Sequence, residues 1–318
     1  MLHLQLRVPA DRIGQVVDLL RSDDTVTNVV VVEDAYVKPE GHLVLADVAR
    51  EGANPVVAQL HRLGLHHDGV IMLTEPATVL SDEADRAEQA APGDPDDSVV
   101  WDVVENRLRS ESRLNVSFVG FLTLATLIAG VGRYLDQPIL IVGAMVVGPE
   151  FAPVAAVCLG LARPRLSLLP TALRTLAVGF GVAVVAAALL WLLGSVSGLV
   201  TPQQAATGDL TRFIVEPDHW SLIVALLAGI AGMLSLTTSK SGPLVGVFIS
   251  VTTVPSVGTF ALCLGTGTWS DLGASAAQLG VNVAGLLVAG TLTLLVQRLV
   301  WGRLQRPGKA HALADRGA

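Results

Sequence analysis

Six long apolar stretches constrain this chain more than any other feature. They run over about Val116–Tyr134, Pro138–Leu161, Thr175–Val196, Ser221–Thr237, Pro243–Leu264 and Ala276–Trp301. Each is near or above the ~20 residues a helix needs to cross the hydrocarbon core of a bilayer. In lipid every backbone polar group must be satisfied within the protein, so such stretches are expected as helices. The spacing therefore predicts a six-span α-helical integral membrane domain over 115–305.

The charges divide the chain in the same place. Residues 1–97 hold 18 of the 28 acidic residues but 7 of the 21 basic ones, a net of −11, whereas the remainder carries 14 basic and 10 acidic residues, a net of +4. An acidic, soluble module is expected to precede the membrane part. Its charge argues against nucleic-acid binding, which needs a basic face, and against lying flat on an anionic membrane. Met1–Ala10 alternates apolar and polar residues and lacks a cationic start followed by an apolar core. It does not read as a signal peptide, so the module is expected in the cytoplasm.

Loop charges give the orientation. Six spans threaded from an N-terminus inside place Arg107, Arg109, Arg113, Arg163, Arg165, Lys240, Arg298, Arg303, Arg306 and Lys309 inside, against Arg133 and Arg212 outside. That asymmetry is the positive-inside pattern. It predicts a multi-pass protein of the cell inner membrane with both termini cytoplasmic, ending in a tail over 306–318.

Within the soluble part the hydrophobic period changes from element to element. His3–Val8 alternates like a half-buried strand. Ile13, Val16, Val17 and Leu20 have helical spacing behind Asp11, a candidate N-cap. Val26–Val32 is β-branched, Ala35–Gly41 turns the chain at Pro39 and Gly41, and His42–Val48 is strand-like. Asn54 and Pro55 open a second helix through Leu65, and Val70–Leu73 is a last strand. The order βαββαβ predicts an α+β ferredoxin-like domain over 1–76. Such domains often pair, and small-residue membrane faces favour association, so a homo-oligomer is expected. Residues 77–97, charged and then rich in Pro, Gly and Asp, are expected to be a flexible acidic linker. Residues 98–114 read as an amphipathic interfacial helix with Trp101 near the headgroups, or as a helix coupled to protein.

Spans one and two resemble spans four and five. Ala129–Pro153 and Ala231–Pro255 each carry Ala-Gly near a helix end, one basic residue (Arg133 or Lys240), a proline opening the next span (Pro138 or Pro243), a glycine (Gly143 or Gly246) and a further proline that interrupts the span (Pro149 or Pro255). With three spans per repeat the halves would be inverted, an arrangement common in secondary transporters with interrupted helices. Chance similarity between Gly-rich apolar helices is the plain alternative.

Glu150 is the sharpest candidate for chemistry. It stands mid-way along span two in Gly148-Pro149-Glu150-Phe151-Ala152-Pro153, and no other acid lies inside a span core. A carboxylate at the bilayer centre costs ~3 kcal/mol or more, so it must pair, meet water or stay protonated. Pro149 and Pro153 lack an N–H and free carbonyls one turn earlier. Those carbonyls and Glu150 together suit a proton or cation site. The plain alternative is a glutamic acid acting as packing glue between helices. The matching break in span five is Thr252-Thr253-Val254-Pro255-Ser256, whose hydroxyls either line a path or satisfy freed backbone groups. Asn282 in span six is helix–helix glue or a ligand contact. Lys240 marks a membrane boundary or serves as gate or counter-charge to Glu150. Arg174 opens span three and can snorkel. Gly179, Gly181, Gly229 and Gly232 suit close helix packing.

Other chemistry finds little footing. Cys158 and Cys263 both lie in apolar runs and read as small buried hydrophobes. His61, His66 and His67 flank the second soluble helix without metal-ligand spacing. No phosphate loop, nucleophile elbow or pair of catalytic carboxylates is present, so neither an enzyme nor a cofactor or metal site is expected.

The run from Ile139 to Pro153, with Gly143, Ala144, Met145, Pro149 and Pro153, resembles the prokaryotic "uncharacterised hydrophobic domain" family, the domain of unknown function 389. Leu244-Val245-Gly246-Val247 and Val254-Pro255 match a second signature of that family. The resemblance covers roughly 98–300 and implies a soluble N-terminal segment joined to a several-span region, with no assigned activity. This chain has Ser256 where relatives often continue with a second proline. Many relatives have an apolar residue in place of Glu150, which speaks against a role for Glu150 common to the whole family.

The reading that follows is a membrane transporter or channel for a small solute or ion, with its pathway between broken spans two and five and regulation by the cytoplasmic domain. The alternative is a membrane-anchored oligomeric sensor or scaffold whose soluble domain binds a small ligand. Water access to Glu150 separates them: a pathway needs it wet from at least one side, an anchor leaves it dry.

Overall fold

The computed structural model describes residues 1–76, 78–91, 98–163, 167–206, 208–214, 217–238 and 253–304, the side chains of 206, 213 and 301–304 aside. The chain divides into two compact units, Met1–Val104 with the residues from Arg298 onward, and Glu105–Gln297.

The first unit is built on a four-stranded antiparallel sheet. Its elements are β1 (Leu2–Val8), α1 (Ile13–Arg21), β2 (Val26–Val37), β3 (Glu40–Val48), α2 (Ala53–Arg62) and β4 (Val70–Thr74), in the sheet order β2-β3-β1-β4. The period-two pattern of β1 works as read: Leu2, Leu4, Leu6 and Val8 are buried and meet Val44, Ala46 and Val48 of β3. Val16 and Leu20 of α1, and Ala53, Val56 and Leu60 of α2, close the same core. Full burial of each Leu stabilises the unit by ~1.5–3 kcal/mol relative to exposure.

Three local expectations change. Asp11 does not cap α1; Arg12 takes the cap position without a side-chain bond, and Asp11 lies 3.8 Å from the Arg12 guanidinium. The β2–β3 turn is tighter than the sequence suggested, because β2 runs on to Val37 and β3 starts at Glu40, leaving Lys38-Pro39 between them. The region expected as a flexible linker contains a helix, α3 (Asp82–Ala90). Ser81 caps it by accepting from the Ala84 N–H, and Asp82, Glu83 and Asp85 put negative charge in the first turn, where the helix dipole favours it. Ala84 and Ala87 are buried. Composition suggested disorder; the cap and the alanine face give an ordered helix instead.

The next helix, α4 (Trp101–Glu111), starts in the sheet unit. Asn54 donates to the Val99 carbonyl at 2.7 Å and accepts from the Trp101 N–H at 3.2 Å. Arg50 donates to the Ser98 carbonyl at 3.1 Å. Val100 joins the sheet core, and Trp101 is 8% exposed. Residues 98–101 are thus held by protein contacts.

The second unit is helical and apolar. It comprises α5 (Val116–Tyr134), α6 (Pro138–Val147), α7 (Phe151–Ala162), α8 (Leu169–Val196), α9 (His219–Thr237), α10 (Thr253–Thr266) and α11 (Leu272–Leu304). Among the described residues α5, α8, α9 and α11 are long and apolar enough to cross a membrane. The pair α6–α7, bent by 56°, makes a fifth if taken as one broken span. The sequence reading counted six. Its fifth stretch, Pro243–Leu264, falls partly on 239–252, outside the described residues, and α10 is its described remainder, apolar but only 14 residues long.

Glycines set the helix spacing where backbones meet. A side chain at Gly258 of α10 would run into Ala129, the Thr126 carbonyl and the Gly130 N–H of α5. One at Gly229 of α9 would meet Ala289 and Gly290 of α11, and one at Gly179 of α8 would meet Phe118. Gly179 and Gly229 thus act as the small-residue contacts expected of them, whereas Gly181 faces open space.

Candidate functional site

The break between α6 and α7 arises from Gly148-Pro149-Glu150. Gly148 ends α6 in an extended conformation, and its N–H still bonds the Ala144 carbonyl at 3.2 Å. Pro149 cannot donate to the next carbonyl, so the ladder stops. Glu150 sits at the N-cap position of α7 without capping it through its side chain. Pro153 is the third residue of α7, where a missing N–H costs little. Pro255 is likewise the third residue of α10 as described.

The two interrupted stretches meet here. The Thr253 hydroxyl of α10 donates to Glu150 Oε1 at 2.8 Å. Glu150 is 8% exposed, and its second oxygen, Oε2, is buried with no hydrogen-bond partner among the described residues. Gly148 is required at this contact, since a Cβ there would collide with the Glu150 carboxylate and come within 2.7 Å of Val254. An under-satisfied buried carboxylate of this kind is unusual in a folded protein and marks strain, a missing partner or a function.

A cavity of about 350 Å³ reaches the other side of the break. Gly148, Pro149, Phe151 and Ala152 line it, together with Phe118 and Phe121 of α5, and Arg107 and Glu111 of α4 stand in its wall. Glu150 is not among its lining residues, because the carboxylate is turned toward Thr253.

The remaining candidates are distributed. Pro255 and Ser256 are buried on α10 beside Thr253. Asn282 is 2% exposed on α11, on one helical face with buried Ser275 and Gln278. Thr252 and Lys240 lie outside the described residues. Cys158 and Cys263 are free and buried. The imidazoles of His61, His66 and His67 stack, with centroids 4.7 and 3.8 Å apart, and no metal-holding group of His, Cys, Asp or Glu occurs among the described residues.

The sequence reading missed a second polar cluster, at the Tyr134 end of α5. Arg133 was read there as an outer-loop charge and as the basic residue of the possible repeat. It is in fact buried, donating to the Gly208 carbonyl at 2.9 Å, to the Thr211 hydroxyl at 2.8 Å and to Asp271 at 3.1 Å. Asp136, two residues past α5, accepts from the N–H groups of Leu210 and Thr211 and from the Thr211 hydroxyl. Partial desolvation pushes the Asp136 carboxyl up, but these hydrogen bonds and the Arg133 charge outweigh it and hold it below the ordinary carboxylate range. Two unlike charges three residues apart at a helix end, with acids in two later loops, were the available signal.

Comparisons with known proteins fall on this unit. Residues 145–288 match the family model of the domain of unknown function 389, a stretch that begins three residues before the break and ends within α11. An uncharacterised protein of Methanocaldococcus jannaschii is 30% identical over 146 residues, which cover 46% of this chain and 43% of that relative. The aligned stretch is thus under half the length of either protein. No solved structure matches. The family model and this relative together support assigning residues 145–288 to the domain of unknown function 389.

Proposed function

We propose that the helical unit is a transporter or channel for a small solute or ion, with its pathway running between the broken α6–α7 pair and α10. The observation that carries this is the Glu150–Thr253 contact: two proline-interrupted stretches come together on a buried carboxylate with one oxygen unpartnered among the described residues. The cavity against Gly148 and Pro149 supplies an approach to the break from one side. In this reading Glu150 is the proton or cation site and Thr253 its positioning partner.

The finer architecture belongs to the same proposal. The span count is six. The halves form an inverted three-span repeat, supported by the equal length of the corresponding helices α5 and α9, each 19 residues long. The sheet unit is ferredoxin-like, as its strand order and βαββαβ sequence of elements suggest. It lies in the cytoplasm, regulates the pathway and pairs with other copies, in a protein of the cell inner membrane with both termini inside.

One observation favours the sensor or scaffold reading. Glu150 is nearly sealed and hydrogen-bonded to a neighbouring helix, as packing glue would be. The deciding experiment is flux into proteoliposomes, followed with a proton-sensing dye and a panel of cations and anions, for wild type beside Glu150→Gln. Transport predicts flux in wild type that disappears in a well-folded variant. Silence in both, with the protein intact, would turn the assignment to the sensor and to a ligand screen on the full chain.

A further inference from the structure

Two arginines outside this pathway line one cavity. Arg113 lies in the short link between α4 and α5, and Arg174 in the second turn of α8. With Leu114, Pro170, Thr171 and Thr175 they bound about 380 Å³ of space, and no acidic residue is among these lining residues. Other arginines nearby are neutralised: Arg107 pairs with Glu111 at 3.0 Å and Arg109 with Glu105 at 3.1 Å. Arg113 and Arg174 are exposed and have no ion-pair or side-chain hydrogen-bond partner among the described residues. Two guanidiniums left unpaired at one cavity repel each other unless an anion sits between them.

The local structure fixes their relation. The Thr175 hydroxyl, buried, donates to the Ser112 carbonyl at 2.8 Å and so ties α8 to the link that carries Arg113. The first turn of α8 has no acidic residue, leaving its partial positive charge uncompensated. Asn115 caps α5 immediately beyond Arg113 and Leu114. The apolar faces of α5 and α8 therefore begin beside the cavity; resting on the membrane reading proposed above, this puts it at the level of the lipid phosphates. A guanidinium presents paired N–H groups to phosphate oxygens, and two of them can clamp one phosphate.

We propose that Arg113 and Arg174 bind a phosphate group at the membrane surface, supplied by an anionic lipid headgroup. The contact would hold the link after α4 against the start of α8.

The test uses the purified full chain in nanodiscs of phosphatidylcholine with and without phosphatidylglycerol, and in detergent with and without millimolar inorganic phosphate. Thermal unfolding and lipid retention by native mass spectrometry are read out. Phosphatidylglycerol is expected to raise Tm and to co-purify, with retention about tenfold weaker in Arg113→Gln and again in the double variant with Arg174→Gln. Arg109→Gln, which removes a paired arginine, leaves the lipid effect unchanged. Stabilisation by inorganic phosphate alone would keep the phosphate site but overturn the lipid as its source. Equal retention and Tm shift in wild type and the double variant, or no effect of either ligand on wild type, would overturn the site itself.

Discussion

Arg133 and Glu150, both buried in the helical unit, are treated differently. Arg133 is engaged by a carbonyl, a hydroxyl and a carboxylate drawn from loops far apart in the chain; only its Nε lacks a partner among the described residues. Glu150 has one side-chain hydrogen bond and one oxygen without a partner among the described residues. A buried charge held for stability is expected to be paired and hydrogen-bonded, since desolvation costs several kcal/mol per ion. Arg133 meets that standard and reads as a clasp. Glu150 falls short of it, and that shortfall, more than its burial, makes it the candidate for function.

The contrast is breakable, and its largest expected effect lies at the clasp. Arg133→Ala strands Asp271 and Thr211 and is expected to cost ~3–5 kcal/mol, the usual range for breaking a buried pair; thermal unfolding measures it. A loss below about 1 kcal/mol, the level of an exposed pair, would place Arg133 in water instead. Next comes Gly148→Leu. A side chain there must displace either Glu150 or Val254, at ~1–3 kcal/mol for overpacking, with more lost from flux than from stability. Thr253→Val removes the one hydroxyl bonded to Glu150 while keeping shape, and is expected to cost about 1–2 kcal/mol and to alter the pH profile of flux. Flux with an unchanged profile would make Thr253 a spectator.

The smallest effect is a matter of pH. Asp136 is held below the usual range when folded, so its ionised form favours the folded state above its unfolded pKa, and that contribution is lost as pH falls through the folded value. The Tm difference between wild type and Asp136→Asn is expected at neutral pH and to vanish in acid. A difference that persists unchanged into acid would show that the carboxylate charge does nothing at the clasp.

Much of this was legible in the chain. The period-two run of β1 and the helical spacing of Val16 and Leu20 gave the sheet core, because alternation and burial share one cause. Val116–Tyr134 was legible to its ends, because the apolar run and the helix it forms have the same bounds. Pro149 marked the break before any coordinates, because a missing N–H is a local fact. What stayed hidden was non-local. Nothing in the spacing of Arg133, Gly208 and Asp271 says that they meet, and the pinning of residues 98–101 by Arg50 and Asn54 depends on tertiary contact. The helix at 82–90 was missed because composition was weighed there above the Ser81 cap.

The central claim is that Glu150 belongs to a pathway and not to a dry packing contact. The most direct measurement is thiol accessibility at that position: Glu150→Cys in a chain with Cys158→Ala and Cys263→Ala, reconstituted in liposomes and treated with a charged, water-soluble thiol reagent. The account predicts labelling from at least one side of the membrane, slowed by the transported ion. No labelling in a folded protein, while a cysteine in an exposed loop reacts fully, would contradict it and leave Glu150 as glue between helices.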